Sequence, residues 1–250
     1  LELIKPELIQ REQGVASTIV VFGSARTLEP DEAGRRLEGA RRALDASPDD
    51  ADLAQAVRRA ERRVEHARYY EQAREFARLV SRTCQLDDRC EYVVVTGGGP
   101  GIMEAANRGA SEAKGLNVGL NISLPFEQND NPYITRRLSL EFHYFFMRKF
   151  WFTYLAKAIV VMPGGFGTLD EFMEVVTLVQ TLKIKKPLPI VLFGKEFWSK
   201  VIDFQTLIDF GTISPGDIDL FFQTDSVDEA FEYISTKLTE DGLPEPGPHL

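Results

Sequence analysis

Short apolar runs alternate with longer amphipathic stretches along most of this 250-residue chain, which is the pattern of β-strands alternating with α-helices. Seven apolar runs are expected to form strands, at 17–22, 92–96, 117–124, 138–142, 158–162, 189–193 and 218–223. The stretches between them predict helices at 102–114, 143–157, 172–182, 195–210 and 227–238. Such alternation predicts a Rossmann-like, doubly wound α/β fold, with a mostly parallel sheet and helices on both faces. Sheets of this kind bind ligands at the carboxyl ends of their strands.

Residues 28–82 interrupt this alternation near the amino terminus. The segment is rich in Arg and in acidic residues and has no Lys, and its apolar positions predict two helices, at about 31–45 and 50–83. The arginines could form a patch for phosphate or nucleic acid, but the balanced charge favours a solvent-exposed helix face with internal ion pairs. We expect one Rossmann-like nucleotide-binding domain over 1–250, with a helical insertion at 28–82 and a disordered tail at 241–250.

The overall charge narrows the classes of partner. With 29 Lys and Arg against 38 Asp and Glu, the formal net charge is −9, which disfavours sequence-independent binding of DNA or RNA. The two cysteines, Cys84 and Cys90, have no nearby Cys or His and lack the spacing of a zinc site. No secretory signal opens the chain, and no apolar run approaches the roughly 18 residues of a membrane span. A cytoplasmic protein without a membrane partner is therefore expected.

The most informative motif is Pro163-Gly-Gly-Phe-Gly-Thr-Leu-Asp-Glu171, which follows an apolar strand and opens a helix. Its three glycines let the backbone approach a ligand closely, and a helix amino terminus presents N–H groups to an anion. Thr168 could cap the helix or donate its hydroxyl to a phosphate. Glu171 could take part in chemistry beside that phosphate, but taken alone it is better explained as an acid that stabilises the helix dipole.

A second glycine turn, at 97–101, follows the strand at 92–96. The G-x-G-x-x-G pattern of dinucleotide binding fails at Ile102, and the acidic residue expected about 20 positions further on is missing. The chain also lacks the G-x-x-x-x-G-K-[ST] loop of nucleoside triphosphatases. These absences disfavour NAD binding and nucleoside triphosphate hydrolysis. The glycines of this turn could allow tight packing of strand against helix or contact with a ligand, and the sequence favours neither role.

The segment 142–154 is crowded with aromatic residues, which predicts a helix buried in the core or in an interface. Arg148 and Lys149 lie within this segment, and buried charges require partners. The two cations could pair with acids of the core, but pairing with a substrate phosphate or with Glu171 is favoured.

The Arg-Lys pair, the apolar strand and the PGGxGTxxE motif together resemble the LOG family, phosphoribohydrolases named after the plant LONELY GUY protein and often mislabelled as lysine decarboxylases. The resemblance covers about residues 17–26 and 90–238. It implies hydrolysis of the N-glycosidic bond of AMP or of a cytokinin riboside monophosphate, to a free base and ribose 5-phosphate. By position, Arg148 and Glu171 match the catalytic residues of the family. The positions implied to bind substrate are Ser24, Gly98, Gly99, Met147, Lys149, Gly164, Gly165, Gly167, Thr168 and Glu174.

The chain departs from the family pattern in two places. Many members read M-H-x-R-K, whereas Phe145-Phe-Met147 precedes Arg148 in this chain, so the histidine of those members has no counterpart. The segment 28–82 is also longer than in the short members. Family members dimerise through helices comparable to 142–154, which implies a homodimer or a higher homo-oligomer.

Two other classes of function were weighed against hydrolysis. The main alternative is a non-catalytic nucleotide-binding or carrier module on the same fold, for which a carboxylate at Glu171 has no purpose. A pyridoxal-dependent decarboxylase is disfavoured, because its candidate Schiff-base lysine, Lys149, is better explained by the Arg-Lys pair. The hydrolytic reaction requires no cofactor and no metal, and none is expected.

Overall fold

The strands form one parallel sheet in a computed structural model that describes residues 2–85, 90–123 and 130–240 of the chain. The strands are β1 (Thr18–Phe22), β2 (Val93–Thr96), β3 (Asn117–Ile122), β4 (Ser139–Phe142), β5 (Ala156–Val161), β6 (Ile190–Phe193) and β7 (Phe222–Thr224). Their order is β4-β3-β2-β1-β5-β6-β7, and each neighbouring pair is parallel. The predicted Rossmann-like α/β fold is therefore confirmed, with a sheet that is parallel throughout.

Helices cover both faces of this sheet, as the apolar strands require. They are α1 (Lys5–Glu12), α2 (Pro30–Ala46), α3 (Ala51–His66), α4 (Arg68–Cys84), α5 (Ile102–Glu112), α6 (Phe145–Tyr154), α7 (Phe166–Gln180), α8 (Lys195–Val201), α9 (Phe204–Asp209) and α10 (Val227–Glu240). On one face α4, α5 and α10 form a core with alternate strand residues, and on the other α6, α7 and α8 do the same. None of the helices in the described ranges is both long and apolar enough to cross a membrane.

β1 lies at the centre of the sheet, and this place determines where a crevice opens. Val20 and Phe22 pack toward the α6–α7 side, while Ile19 and Val21 pack toward the α4–α5 side. β2 pairs with one edge of β1 and β5 pairs with the other, so the chain switches direction across the sheet at this strand. In doubly wound sheets, a crevice opens at such a switch, outside the carboxyl ends of the strands.

The segment 28–82 contains parts of three helices, and the prediction of two was wrong. The long helix expected at 50–83 breaks at Ala67, between α3 and α4. The break lets α3 pack beside α2 while α4 lies on α5 and buries Tyr70 and Phe76 in the core. No Gly or Pro marks the position, and the break coincides with the change of packing partner from α2 to α5.

Three further boundaries differ from the sequence-based predictions. The helix expected at 172–182 already begins at Phe166, because part of the glycine turn forms its first turn. The helix expected at 195–210 is divided into α8 and α9, where the side chain of Asp203 accepts a hydrogen bond from the backbone N–H of Thr206. The first half of the strand expected at 218–223 belongs to a 3-10 helix, Pro215–Leu220, which Ser214 and Asp217 cap, and β7 begins only at Phe222. The predicted tail at 241–250 lies outside the described residues.

Candidate functional site

A cavity of about 620 Å³ opens at the carboxyl ends of β1, β2 and β5. The turn after β1 contributes Ser24, the turn after β2 contributes Gly97, and the start of α7 contributes Thr168 and Glu171. The aromatic helix α6 closes the far side with Arg148. This cavity, the main cavity, therefore lies in the crevice that the strand order produces.

The amino end of α7 presents its backbone to the main cavity. Gly165 is the N-cap residue, and no side chain of the described residues caps the helix there. A Cβ atom added at Gly165 or Gly167 would meet no described atom within 4 Å, so neighbouring atoms do not require these glycines. Gly164 differs, because a Cβ at that position would overlap the side chain of the buried Thr168. Uncapped N–H groups beside open space are suited to binding an anion, and we refer to this end of the cavity as the candidate anion site.

Arg148 and Glu171 form a buried ion pair on the wall of the main cavity. One guanidinium nitrogen of Arg148, Nη2, lies 3.0 Å from Glu171 Oε1, and each side chain is only 12% exposed. The guanidinium carbon also lies 5.3 Å from the ring centre of Phe145 and 5.4 Å from that of Phe152. The pair joins α6 to α7 and holds a carboxylate in a fixed position beside the anion site.

Burial governs the ionisation of this carboxyl group. Removal from water raises the pKa of Glu171 to about 7, although the positive charge of Arg148 acts in the opposite direction. Burial likewise lowers the pKa of Arg148, and the charge of Glu171 opposes that shift. A carboxyl group with a pKa near 7 exchanges protons readily at neutral pH, which is a property of general acids and bases.

Lys149 and Glu174 lie outside the lining of the main cavity. The ammonium group of Lys149 lies 2.8 Å from Asp170 Oδ2 and 2.7 Å from Glu174 Oε2. Burial alone would lower the pKa of Lys149, but its two carboxylate partners outweigh this effect and raise it. Met147 packs against the hydrophobic core instead of lining the cavity. The structure thus separates the two cations of the Arg-Lys pair, and Arg148 alone reaches the main cavity.

The glycine turn after β2 is mainly a packing element. Gly98 has a φ of +74°, and a Cβ at that position would overlap Asn121 Oδ1. The carbonyl oxygens of Gly98 and Gly99 both accept hydrogen bonds from the side-chain amide of Asn131, at 3.1 and 3.2 Å. Gly98 and Gly99 are buried, and of the glycines in this turn Gly97 lines the main cavity.

Among the residues that line the main cavity and were missed by sequence reasoning are Arg26, Phe145 and Phe166. Phe166 is the variable position of the PGGxGTxxE motif, yet it is 92% exposed at the first position of α7. Phe145 belongs to the aromatic segment expected to be buried, but in the single chain both Phe145 and its neighbour Phe146 are exposed. For Phe166, the available signal was a large aromatic side chain between two glycines of the motif.

A comparison with known protein families identifies the family of this chain. Residues 103–234, more than half of the chain, match the family model described as "Possible lysine decarboxylase", the usual name of the LOG-family domain. The chain belongs to the LOG family. A search of curated proteins found no match.

Two solved structures place this LOG-family chain among known folds. TM1055, a structural genomics target, is 22% identical, with a TM-score of 0.51 over 88% of this chain and 99% of that chain. A Moco carrier protein from Chlamydomonas reinhardtii is 17% identical, with a TM-score of 0.47 over 90% of this chain and 99% of that chain. The first of these similarities shows the shared fold.

Proposed function

We propose that this LOG-family chain is a nucleoside 5′-monophosphate phosphoribohydrolase. It hydrolyses the N-glycosidic bond of AMP or of a cytokinin riboside monophosphate and releases a free base and ribose 5-phosphate. The observation that carries this proposal is the buried Arg148–Glu171 pair beside the uncapped amino end of α7. A site that only binds phosphate gains nothing from a carboxylate there, because the carboxylate repels the ligand.

In the proposed complex, the 5′-phosphate of the nucleotide accepts hydrogen bonds from the backbone N–H groups at the start of α7. The open space at Gly165 and Gly167 admits the phosphate oxygens to the backbone. Phosphate binding at this end of the cavity fixes the distance of the ribose from Glu171. Binding energy from the non-reacting part of the substrate is thereby converted into positioning of the bond that breaks.

The carboxylate form of Glu171 acts on a water molecule in the proposed reaction. The water oxygen forms a bond to C1′ of the ribose as the C1′–N bond breaks, and the bonding electron pair leaves with the base nitrogen. Glu171 accepts the proton from the water and can return it to the departing base. The same carboxylate stabilises the positive charge that develops on the ribose, as carboxylates do in O-glycoside hydrolysis. Arg148 holds Glu171 in place and keeps part of it ionised at neutral pH.

The apolar side chains of the main cavity suit the base of the nucleotide. Phe145 and Phe166 line the cavity from two different helices, and Met103 and Ile122 add apolar surface. Aromatic rings stack on nucleobases and tolerate different bases, because every base has a π face. We propose that Phe166, whose ring is free of packing, stacks on the base.

The family description suggests pyridoxal phosphate, and the residues of the site do not fit this cofactor. A Schiff base requires an uncharged lysine amine, whereas Lys149 is ion-paired and its pKa is raised. Burial does lower the pKa of Lys157, but this residue lies at the amino end of β5, away from the main cavity. We therefore propose hydrolysis without pyridoxal phosphate.

We also propose a homodimer that forms through the aromatic surface of α6 and α7. Tyr144, Phe145 and Phe146 are exposed in the single chain, and Met173 of α7 is exposed beside them. Phe146→Asp places a charge in this surface and should convert the dimer to a monomer in light scattering. A wild-type chain that is monomeric at all concentrations overturns the proposed assembly.

The function is tested by product analysis with two matched variants. Wild-type protein incubated with AMP should release adenine and ribose 5-phosphate, and Glu171→Gln should lower turnover by about 100-fold or more while AMP still binds. Glu104→Gln is the control, because Glu104 occupies the first turn of α5 after the other glycine turn and does not line the main cavity. AMP binding without base release from any nucleoside monophosphate would favour the carrier function and overturn the hydrolase.

A further inference from the structure

A second, smaller cavity of about 240 Å³ shares Ser24 and Arg26 with the main cavity and reaches Pro163 and Gly164. Arg62, Arg63 and His66 of α3 line it, together with Arg26 from the turn after β1. We call these four residues and the space between them the arginine pocket. Pro163 and Gly164 form the part of its wall that belongs to the PGGxGTxxE motif.

The arginine pocket is a concentration of positive charge in an acidic chain. None of the described residues that line it is Asp or Glu, although the whole protein has a net charge of −9. Other arginines of the helical segment are neutralised, as Arg41 is by Glu61 and Arg74 is by Glu112. Arg62 and Arg63 form no ion pair within the described part of the chain. A concave surface lined by cations of this kind attracts anions.

Charge alone does not distinguish the arginine pocket from the rest of α3. Arg58 and Arg59, on the same helix, are also exposed and form no ion pair with the described residues. Basic residues in the last turn, such as Arg63 and His66, also interact favourably with the helix dipole. The difference lies in the concavity, because Arg62 and Arg63 face the glycine motif across a cavity and Arg58 and Arg59 do not line it.

The two cavities share lining residues beside the glycine turn where a phosphate is proposed to bind. Ser24 and Arg26 line both of them, and Gly164 of the arginine pocket is bonded to Gly165 of the main cavity. We propose that the arginine pocket binds a second phosphate group of the nucleotide, so that the site accepts nucleoside 5′-diphosphates as well as monophosphates. This inference rests on the proposed function, which places the first phosphate at the start of α7.

Calorimetric titration tests the second subsite, with inorganic phosphate, pyrophosphate, AMP and ADP as probes. In wild-type protein at low salt, ADP should bind about tenfold more tightly than AMP, because charge-assisted hydrogen bonds to the second phosphate are added. Pyrophosphate should bind more tightly than inorganic phosphate by a similar factor. Neither of these two probes contains an N-glycosidic bond, so their affinities are measured without turnover.

The decisive variants are two double substitutions on one helix face. Arg62→Ala with Arg63→Ala should remove the preference for ADP over AMP and leave AMP affinity within about twofold of wild type. Arg58→Ala with Arg59→Ala removes the same charge from α3 and should leave the preference intact. All four side chains are exposed, so the fold should tolerate both changes, and far-UV circular dichroism checks this.

The possible outcomes separate the two proposals. Equal affinity for AMP and ADP in the wild-type protein overturns the second subsite, with no variant required. Equal loss of the ADP preference in both double variants also overturns it, because the effect is then one of overall charge. If the protein hydrolyses AMP but binds ADP no more tightly than AMP, only the second subsite is contradicted. If the protein does not hydrolyse AMP, but prefers ADP and loses this preference only when Arg62 and Arg63 are replaced, only the hydrolase is contradicted.

Discussion

The turn after β2 and the turn after β5 have similar compositions, since residues 97–101 read GGGPG and residues 163–167 read PGGFG. Both leave the carboxyl end of a central strand and open a helix, α5 or α7. In the first turn, Gly98 and Gly101 have φ angles of +74° and +72°, and added Cβ atoms would overlap Asn121 and the backbone of Ser24. In the second, Gly165 and Gly167 border open space. At these positions, glycine serves packing in the first turn and leaves open space beside the backbone in the second.

The acids that follow the two turns differ in the same way. Glu104, in the first turn of α5, accepts a hydrogen bond from the hydroxyl of Tyr70 at 2.9 Å and does not line the main cavity. Glu171 is buried against Arg148 on the cavity wall, and its pKa is raised to about 7. A glycine turn followed by an acid therefore indicates a functional site only where the structure leaves the turn open and buries the acid.

The largest expected effect is on stability, and it separates the two turns directly. Gly98→Ala should lower the free energy of unfolding by about 3 kcal/mol or more, because it combines a left-handed backbone with overlap of a buried side chain. Gly165→Ala should change it by less than about 0.5 kcal/mol. Urea denaturation measures both values, and a destabilisation of similar size in the two variants contradicts the comparison.

Gly167→Ala is expected to stabilise the protein and weaken its ligand binding. Gly167 lies in the first turn of α7, where replacement of Gly by Ala gains roughly 0.5–1 kcal/mol of helix stability. The new methyl group occupies the space proposed for the phosphate, so AMP affinity should fall by about tenfold, a loss of ~1.4 kcal/mol. Thermal unfolding and AMP titration of the same sample provide the two measurements. If the variant is more stable and binds AMP with wild-type affinity, Gly167 is not part of the phosphate site.

The pH dependence of AMP hydrolysis should report the burial of Glu171. Because burial raises the pKa of this group to about 7, the carboxylate form increases through neutral pH, and kcat/KM should rise from pH 5 to a plateau above about pH 8. Arg148→Met removes the charge that favours the carboxylate and should move this ionisation to higher pH. The second ionisation of the substrate phosphate, near 6, should stay where it is and serves as the internal reference. If the pH profile of kcat/KM is the same in Arg148→Met as in the wild type, the ionisation that it reports is not that of Glu171.

The smallest expected effect concerns the acid of the packing turn. Tyr70→Phe deletes the hydrogen bond from the Tyr70 hydroxyl to Glu104 and should cost about 1 kcal/mol of unfolding free energy. AMP turnover should stay within about twofold of wild type, because neither residue lines the main cavity. If Tyr70→Phe loses turnover without losing stability, Glu104 contributes to the site and the proposed difference between Glu104 and Glu171 is wrong.

The sequence by itself determined the fold class and the family, and it marked the location of the candidate site. Strands buried on both faces of a parallel sheet must be apolar, so runs such as 17–22 and 158–162 are visible without a structure. The motif at 163–171 marked the helix amino terminus, and the resemblance based on this motif and the Arg-Lys pair is confirmed by the family match. These features depend on residues that are close together in the chain.

Only the tertiary structure decided how distant residues meet. In the structure, Arg148 pairs with Glu171, whereas Lys149 pairs with Asp170 and Glu174. The two cations are adjacent in the chain and their acids all lie on α7, so the sequence alone does not assign these pairs. The tertiary structure also broke the long helix at Ala67, and it placed arginines of α3 against a turn about one hundred residues away. The periodicity of apolar residues indicates which face of a helix or strand is buried, but not which other element covers that face. Burial, ion pairing and the accessibility of glycine are properties of those long-range contacts.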